Sequence, residues 1–318
     1  MIGRLLGPND PSITLTTISE AGAMDAMRTL RATDGALLTY CVSAPSSPHG
    51  VLVLLHGLAS NHTRWSEFAR DTTLRDGWTL LRPDLRGQGA STFRGRIGVA
   101  DWCSDLAALL DAEAFPKALV VGHCLGANLA LAFAARHPSR IAGLVLVEPL
   151  PPEALSGTMR QLRRLQPVLQ FVIPLVRALN ALGVHRRAIS SLDLEQLDRE
   201  TQAALARGPE GEAQLAKYAS PLADLRTTAS GAYLQALLAV TEALPALEQI
   251  AVPVLALLAE QSSFTEPAIT RRVLRRLPDC EIVELRARHW IPTEQPGAMR
   301  AAIERWVRRA FEGAAGAA

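Results

Sequence analysis

The apolar positions of this chain fall into two kinds of run. The first kind is short and unbroken: Val51-Leu52-Val53-Leu54-Leu55, Trp78-Thr79-Leu80-Leu81, Leu119-Val120-Val121, Ile141 to Val147, and Pro253 to Leu258. Such runs are too short for helices and too continuous for half-exposed strands, so they predict strands buried on both faces, as in a parallel sheet. The second kind repeats at helical spacing. Val99, Trp102, Leu106, Leu109 and Leu110 predict a helix over 99–112, and similar patterns predict helices around 266–277 and 297–311. Met27 to Val42 reads as a hairpin, two alternating runs flanking the turn dipeptide Asp34-Gly35. Glu281 to Leu285 supplies a final strand. Alternating strand and helix signals predict an α/β fold with a mostly parallel, doubly wound sheet.

The alternation stops once. After Ile141–Val147 and the cluster Glu148-Pro149-Leu150-Pro151-Pro152, residues 151–247 carry helical patterns and no strand signal. Predicted helices cover 168–182, 192–207 and 232–250, with Gly183 as a C-cap after the first. The expected organisation is therefore an N-terminal extension over 1–26, a core made of 27–150 and 248–318, and a helical insertion over 151–247. The apolar run Val168–Leu182 is read in two ways, as packing against the core or as a lid shaping an acyl-chain pocket.

The stretch that joins these elements to chemistry is Leu119-Val120-Val121-Gly122-His123-Cys124-Leu125-Gly126-Ala127-Asn128. A buried strand runs into a helix through one residue. That residue takes a strained turn, which small neighbours two positions away make room for. The turn lifts Cys124 above the strand ends, where the helix also presents its free N–H groups. A Gly-x-Cys-x-Gly alone is a weak signal; here its context strengthens it. The stretch resembles the nucleophile elbow of the α/β-hydrolase family, Gly-x-Ser-x-Gly, with cysteine in the place of serine.

Three further segments resemble that family in the expected order. His56-Gly57-Leu58 follows the first core strand and resembles the oxyanion loop, so the resemblance implies an oxyanion hole from the N–H groups of Leu58 and Leu125. Asp84-Leu85-Arg86-Gly87-Gln88-Gly89-Ala90-Ser91 matches the family's Asp-x-Arg-Gly-x-Gly-x-Ser segment, where Asp84 and Arg86 are expected to pair and pin a loop. His289-Trp290-Ile291-Pro292-Thr293-Glu294-Gln295-Pro296 resembles the catalytic-histidine segment. Among seven histidines, His289 is the candidate base. The resemblance also implies a helical cap over the site in the 151–247 region. Trp65, His123 and Trp290 are candidate substrate-binding residues.

The acid departs from the family pattern. Its usual position, shortly after the seventh strand, falls on Ser262. Glu148, at the end of the sixth strand, is the preferred replacement, and Glu260 is the alternate. A third reading needs no acid, because a thiolate–imidazolium pair depends on one less than serine does. A thiolate at a helix N-terminus beside an imidazole suits acyl chemistry. Dehalogenase and epoxide-hydrolase branches need a carboxylate at the elbow and are disfavoured.

Composition narrows this little further. The 318 residues are 48% hydrophobic and 20% charged, ordinary for a globular chain. A net charge of +2, with no basic run interleaved with aromatics, argues against nucleic acid as a partner. Cys41, Cys103, Cys124 and Cys280 show neither zinc spacing nor a disulfide framework, which points to a reducing, cytoplasmic setting. No apolar run is long enough to span a membrane. The expected function is an acyl hydrolase, esterase or thioesterase, passing through a thioester on Cys124 and taking a hydrophobic small-molecule acyl ester or thioester, free or carrier-bound. Acyl transfer to an amine, alcohol or thiol is the alternative, and a ligand-binding protein on a hydrolase frame is the competing class. No cofactor and no metal are implied.

Overall fold

A computed structural model describes residues 25–186, 189–208, 211, 215, 218 and 220–312. The N-terminal extension expected over 1–26 therefore lies almost wholly outside the described residues. Its last two positions, Asp25 and Ala26, already belong to the first strand.

Eight strands form one sheet: β1 (Asp25–Arg31), β2 (Leu37–Ser43), β3 (Gly50–Leu55), β4 (Trp78–Pro83), β5 (Ala118–His123), β6 (Ile141–Val147), β7 (Val254–Ala259) and β8 (Cys280–Leu285). Their order is β1-β2-β4-β3-β5-β6-β7-β8. The hairpin β1–β2 and the pairing of β2 with β4 are antiparallel, and every other pairing is parallel. The burial explains the sequence pattern. Strands β4, β5 and β7 are buried at every position, because helices cover both faces, whereas β8 at the sheet edge is only half buried.

On one face pack α1 (Ser66–Asp71) and, from the far end of the chain, α11 (Pro296–Val307), enclosing Leu54, Trp65, Val121, Leu257, Ile303 and Trp306. On the other pack α2 (Val99–Ala112) and α3 (Leu125–Arg136), with α9 (Pro267–Leu274). The chain winds outward from β3 to β4, then returns past β3 to start β5. Neighbouring strands β3 and β5 thus leave the sheet at the point where the winding reverses, which is where open α/β sheets leave a crevice at their carboxyl ends.

Between β6 and β7 the described chain is helical: α4 (Gly157–Arg164), α5 (Gln166–Ala181), α6 (Leu194–Leu205), α7 (Pro221–Thr227) and α8 (Ser230–Val240). The expected helix over 232–250 is shorter than its pattern. It ends at Val240, and the chain reforms only a short helical turn at Leu247–Gln249. Pro245 has no N–H to continue the ladder, so apolar spacing alone overstated the length. A four-residue α10 (Ile291–Glu294) follows the loop after β8.

Candidate active site

Strand β5 ends at His123 and α3 begins at Leu125, leaving Cys124 alone to make the turn. Its φ is +56°, in the left-handed region that L-residues avoid. The flanking glycines explain how the turn closes. A Cβ on Gly122 would stand 2.2 Å from the carbonyl oxygen of Gly126, and one on Gly126 would stand 2.5 Å from that of Leu55. Only hydrogen at both positions lets α3 start so close to the strands. The Cys124 N–H donates to the Val147 carbonyl (3.0 Å), tying the elbow to the end of β6.

The next residue after β6 is Glu148, whose φ is +49°. The strain at Cys124 and Glu148 places both side chains above neighbouring strand ends. Glu148 Oε2 lies 3.1 Å from His289 Nδ1. The carboxylate also accepts the Ala259 N–H on Oε1 (2.6 Å) and the Ser262 hydroxyl on Oε2 (2.6 Å). Ser262, at the position where the acid was expected, is instead a donor to the carboxylate from β6. Glu260 is not placed against the histidine: its side chain is exposed, and its N–H donates to the Leu285 carbonyl.

With Nδ1 facing Glu148, the ring of His289 turns its other side toward Cys124, whose sulfur acts on it electrostatically. Burial alone would lower the imidazole's pKa. The Cys124 sulfur and then the Glu148 carboxylate outweigh it and push the value up to about 9. The loop carrying His289 is held by Glu294, which accepts from the N–H groups of Arg288 (3.0 Å), His289 (3.2 Å) and Trp290 (3.0 Å). His123 lies beneath, its ring centroid 5.2 Å from that of His289, and its Nε2 donates to the His289 carbonyl (3.2 Å). Burial, and then the charge on His289, keep His123 well below the usual imidazole range, so it serves as a neutral spacer.

The loop after β3 comes against the elbow from the other side. A Cβ on Gly57 would sit 3.2 Å from that of Cys124. The loop's course is fixed by His56, which is fully buried and held down to about pKa 4 by burial. Its Nδ1 donates to the Gly57 carbonyl (2.8 Å) while its Nε2 accepts the Leu85 N–H (3.0 Å). The amide of Leu125, first in α3, has no preceding helical turn to bond to.

The expected pairing of Asp84 with Arg86 is corrected. Asp84 accepts from His62 Nδ1 (2.8 Å) and the N–H groups of His62 and Ala90 (both 2.7 Å). Arg86 turns the other way, to Asp105 (2.9 Å for its Nε) and Asp34. Both residues still pin loops, but separate ones, because the chain leaves its strand at Pro83 and turns at Arg86, so the two side chains do not share a face.

A cavity of about 480 Å³ opens over Cys124 and His289. Its walls are mostly apolar and come from both the core and the helical segment, among them Leu150, Met159, Leu162, Leu237, Phe264 and Trp290. Leu58 and His123 also line it. Trp65 does not. It is fully buried on the opposite face of the sheet, edge-on to Phe68 at 6.0 Å, so its expected role in binding substrate is replaced by one in the core. The residue that does reach the cavity from that region is its neighbour Arg64. Its guanidinium meets both oxygens of Asp198 (2.7 Å each) and Thr293 (2.8 Å), while Tyr218 donates to the same Asp198 (2.7 Å). This buried cluster joins α6 to the turn that follows His289. No sequence signal paired Arg64 with a residue 134 positions away.

The profile of the alpha/beta hydrolase fold matches residues 50–296, most of the chain. The chain belongs to the α/β-hydrolase fold family. Among relatives, it is 35% identical over 106 residues to the putative carbamate hydrolase RutD of Caulobacter segnis, covering 32% of this chain and 39% of that one. It is 34% identical over 114 residues to the lipase LipV of Mycobacterium tuberculosis, covering 36% of this chain and 41% of LipV. The chain thus spans only about two-fifths of the length of the curated relatives it matches. Solved structures align over far more. A hydrolase from Pseudomonas aeruginosa superposes with a TM-score of 0.65 at 23% identity, covering 91% of this chain and 99% of that one. An esterase from Thermogutta terrifontis gives 0.62 at 22%, with the same coverage of each. At such identities these likenesses speak to the fold alone.

Proposed function

We propose that this protein is an enzyme that hydrolyses the acyl bond of an ester or thioester, with Cys124 as nucleophile. The observation that carries this reading is the relay Cys124–His289–Glu148 at the floor of a largely apolar cavity. A buried cysteine with no function would not call for a buried imidazole, itself oriented by a buried and fully hydrogen-bonded carboxylate.

The steps follow from the positions. Cys124 gives its thiol proton to His289, and its Sγ attacks the acyl carbon, forming a C–S bond as the carbonyl π electrons move to oxygen. The N–H groups of Leu58 and Leu125 hold that oxyanion. As the tetrahedral centre collapses, the C–O or C–S bond to the leaving group breaks, and His289 gives it a proton from the nitrogen facing the sulfur. The acyl group remains on Cys124 as a thioester. Water then attacks the same carbon while His289 takes its proton, and the sulfur leaves to restore the starting pair. Glu148 holds the ring in place through Nδ1 and stabilises its charge. The apolar walls favour a hydrophobic acyl part, and the helices between β6 and β7 act as the cap.

The relatives named as a carbamate hydrolase and a lipase lend support at the level of acyl hydrolysis. The test is turnover of p-nitrophenyl esters and acyl thioesters of increasing chain length by the protein and by Cys124→Ala. Turnover that rises with chain length and vanishes in the variant supports the reading. Turnover unchanged in Cys124→Ala, or none with any member, overturns it.

A further inference from the structure

The apolar run that the sequence offered as core packing or lid does something else on half of its circumference. One side of α5 packs inward: Ile173 is buried, and Asn180 and Val176 approach α8 where Gly231 leaves room, a Cβ there falling 2.9 Å from Asn180 Nδ2. The other side carries Leu165, Val168, Phe171, Val172, Leu175 and Leu179 at helical spacing, and all are exposed. Phe171 is 82% exposed, and Leu182, just past the helix, 79%. An exposed apolar stripe of this length marks an interaction surface, and nothing among the described residues covers this face.

The charge around the stripe says what would cover it. Between Glu153 and Asp193 the chain carries six arginines and not one aspartate or glutamate, in a protein whose net charge is only +2. Among the described residues, Arg160 alone of these is paired with a carboxylate, that of Glu266. Arg163, Arg164 and Arg186 are exposed, and Arg163 and Arg186 are bonded only to backbone carbonyls. An exposed apolar helical face rimmed by unneutralised arginines suits the boundary of an anionic bilayer, where the apolar side chains enter the acyl region and the guanidinium groups meet phosphates. A second copy of the chain fits poorly, because a two-fold contact would set the same arginine rims against each other.

We propose that α4 and α5 form a docking face for an anionic lipid surface, with Leu165, Phe171, Leu175 and Leu179 as the inserted side chains. The placement has a consequence for the site. Helix α4 presents Arg160, Arg163 and Arg164 to solvent while its Met159 and Leu162 line the cavity over Cys124. Docking through this face would bring the cavity's α4 wall to the membrane. The proposal does not depend on the chemistry at Cys124, because binding is read without substrate.

The test is co-sedimentation with unilamellar vesicles of phosphatidylcholine alone or mixed with about one-third phosphatidylglycerol, at low and high salt. The expected result is binding to the anionic vesicles that weakens with salt. Phe171→Asp should weaken it at least tenfold. Arg163→Ala with Arg164→Ala should weaken it by about fivefold per charge. Both changes lie on solvent-exposed positions, so unchanged thermal melting shows that the fold is intact. Absence of binding to anionic vesicles overturns the proposal, as does binding that neither variant changes. A dimer in sedimentation velocity that Phe171→Asp dissociates, without vesicle binding, assigns the face to a second copy and equally overturns it.

Discussion

Ser262 donates its hydroxyl to Glu148 at 2.6 Å, so the residue standing where the family's acid was expected bonds the carboxylate that faces His289. Thr265 donates in turn to Ser262 (3.0 Å), and the N–H of Ala259 fills the other carboxylate oxygen. In the proposed mechanism the acid stands at the end of β6 rather than after β7, with Ser262 supporting it from the β7 side.

Exchanging the two positions tests that relationship. Glu148→Ala should lower kcat/KM by roughly ten- to a thousandfold, less than the ~10⁴ lost when a serine triad has its acid neutralised, because a thiol depends on the acid less. Adding Ser262→Asp to that variant returns a carboxylate to the β7 side, and steady-state kinetics should show part of the loss recovered. No loss in Glu148→Ala would remove Glu148 from the mechanism.

The cluster around Arg64 makes a prediction about stability. Arg64 and Asp198 are both buried, and the pair ties α6 to Thr293 beyond the histidine. Asp198→Ala leaves the guanidinium buried without its partner, at a cost of about 3–5 kcal/mol. Denaturant unfolding should show this as a lowered midpoint. Replacing both residues by apolar side chains of similar size should destabilise far less than the single change.

The imidazole predicts a pH dependence. His289 has its pKa raised from 6.5 to about 9 in the folded state, so the stabilisation it brings is fully present below pH 6.5 and is lost as pH rises through 9. Wild-type stability should therefore fall over that window. In Cys124→Ala, which removes the largest upward influence on the ring, the total decline should be smaller and should end at lower pH. Turnover should fall above pH 9 as the proton for the leaving group is lost. Urea unfolding and kcat/KM measured across pH 6–10 check both.

The parts of this fold written in local pattern were legible, and the parts written in long-range contact were not. Buried strands announced themselves because Val51–Leu55 and Val254–Leu258 are covered on both faces, and the elbow announced itself because Gly122 and Gly126 are required by close approach. Pro245 cut a helix that spacing alone extended. Trp65 was misplaced because an aromatic beside the site in sequence can face either side of the sheet, and this one faces away from the cavity. Arg64, Asp198 and Tyr218 converge from separate elements, and nothing in their immediate sequence points to one another. The exposed stripe on α5 shows the same limit from the other side. Spacing identifies an apolar face without saying whether protein lies against it.

In the proposed mechanism Cys124 carries the acyl group. Intact mass spectrometry of the protein after brief exposure to aryl esters and acyl thioesters tests this most directly. The expected result is a mass gain of one acyl group that is absent in Cys124→Ala and that Cys124→Ser carries as an ester cleared at a different rate. An adduct that persists in Cys124→Ala, or turnover of the same esters at an unchanged rate by that variant, would contradict it.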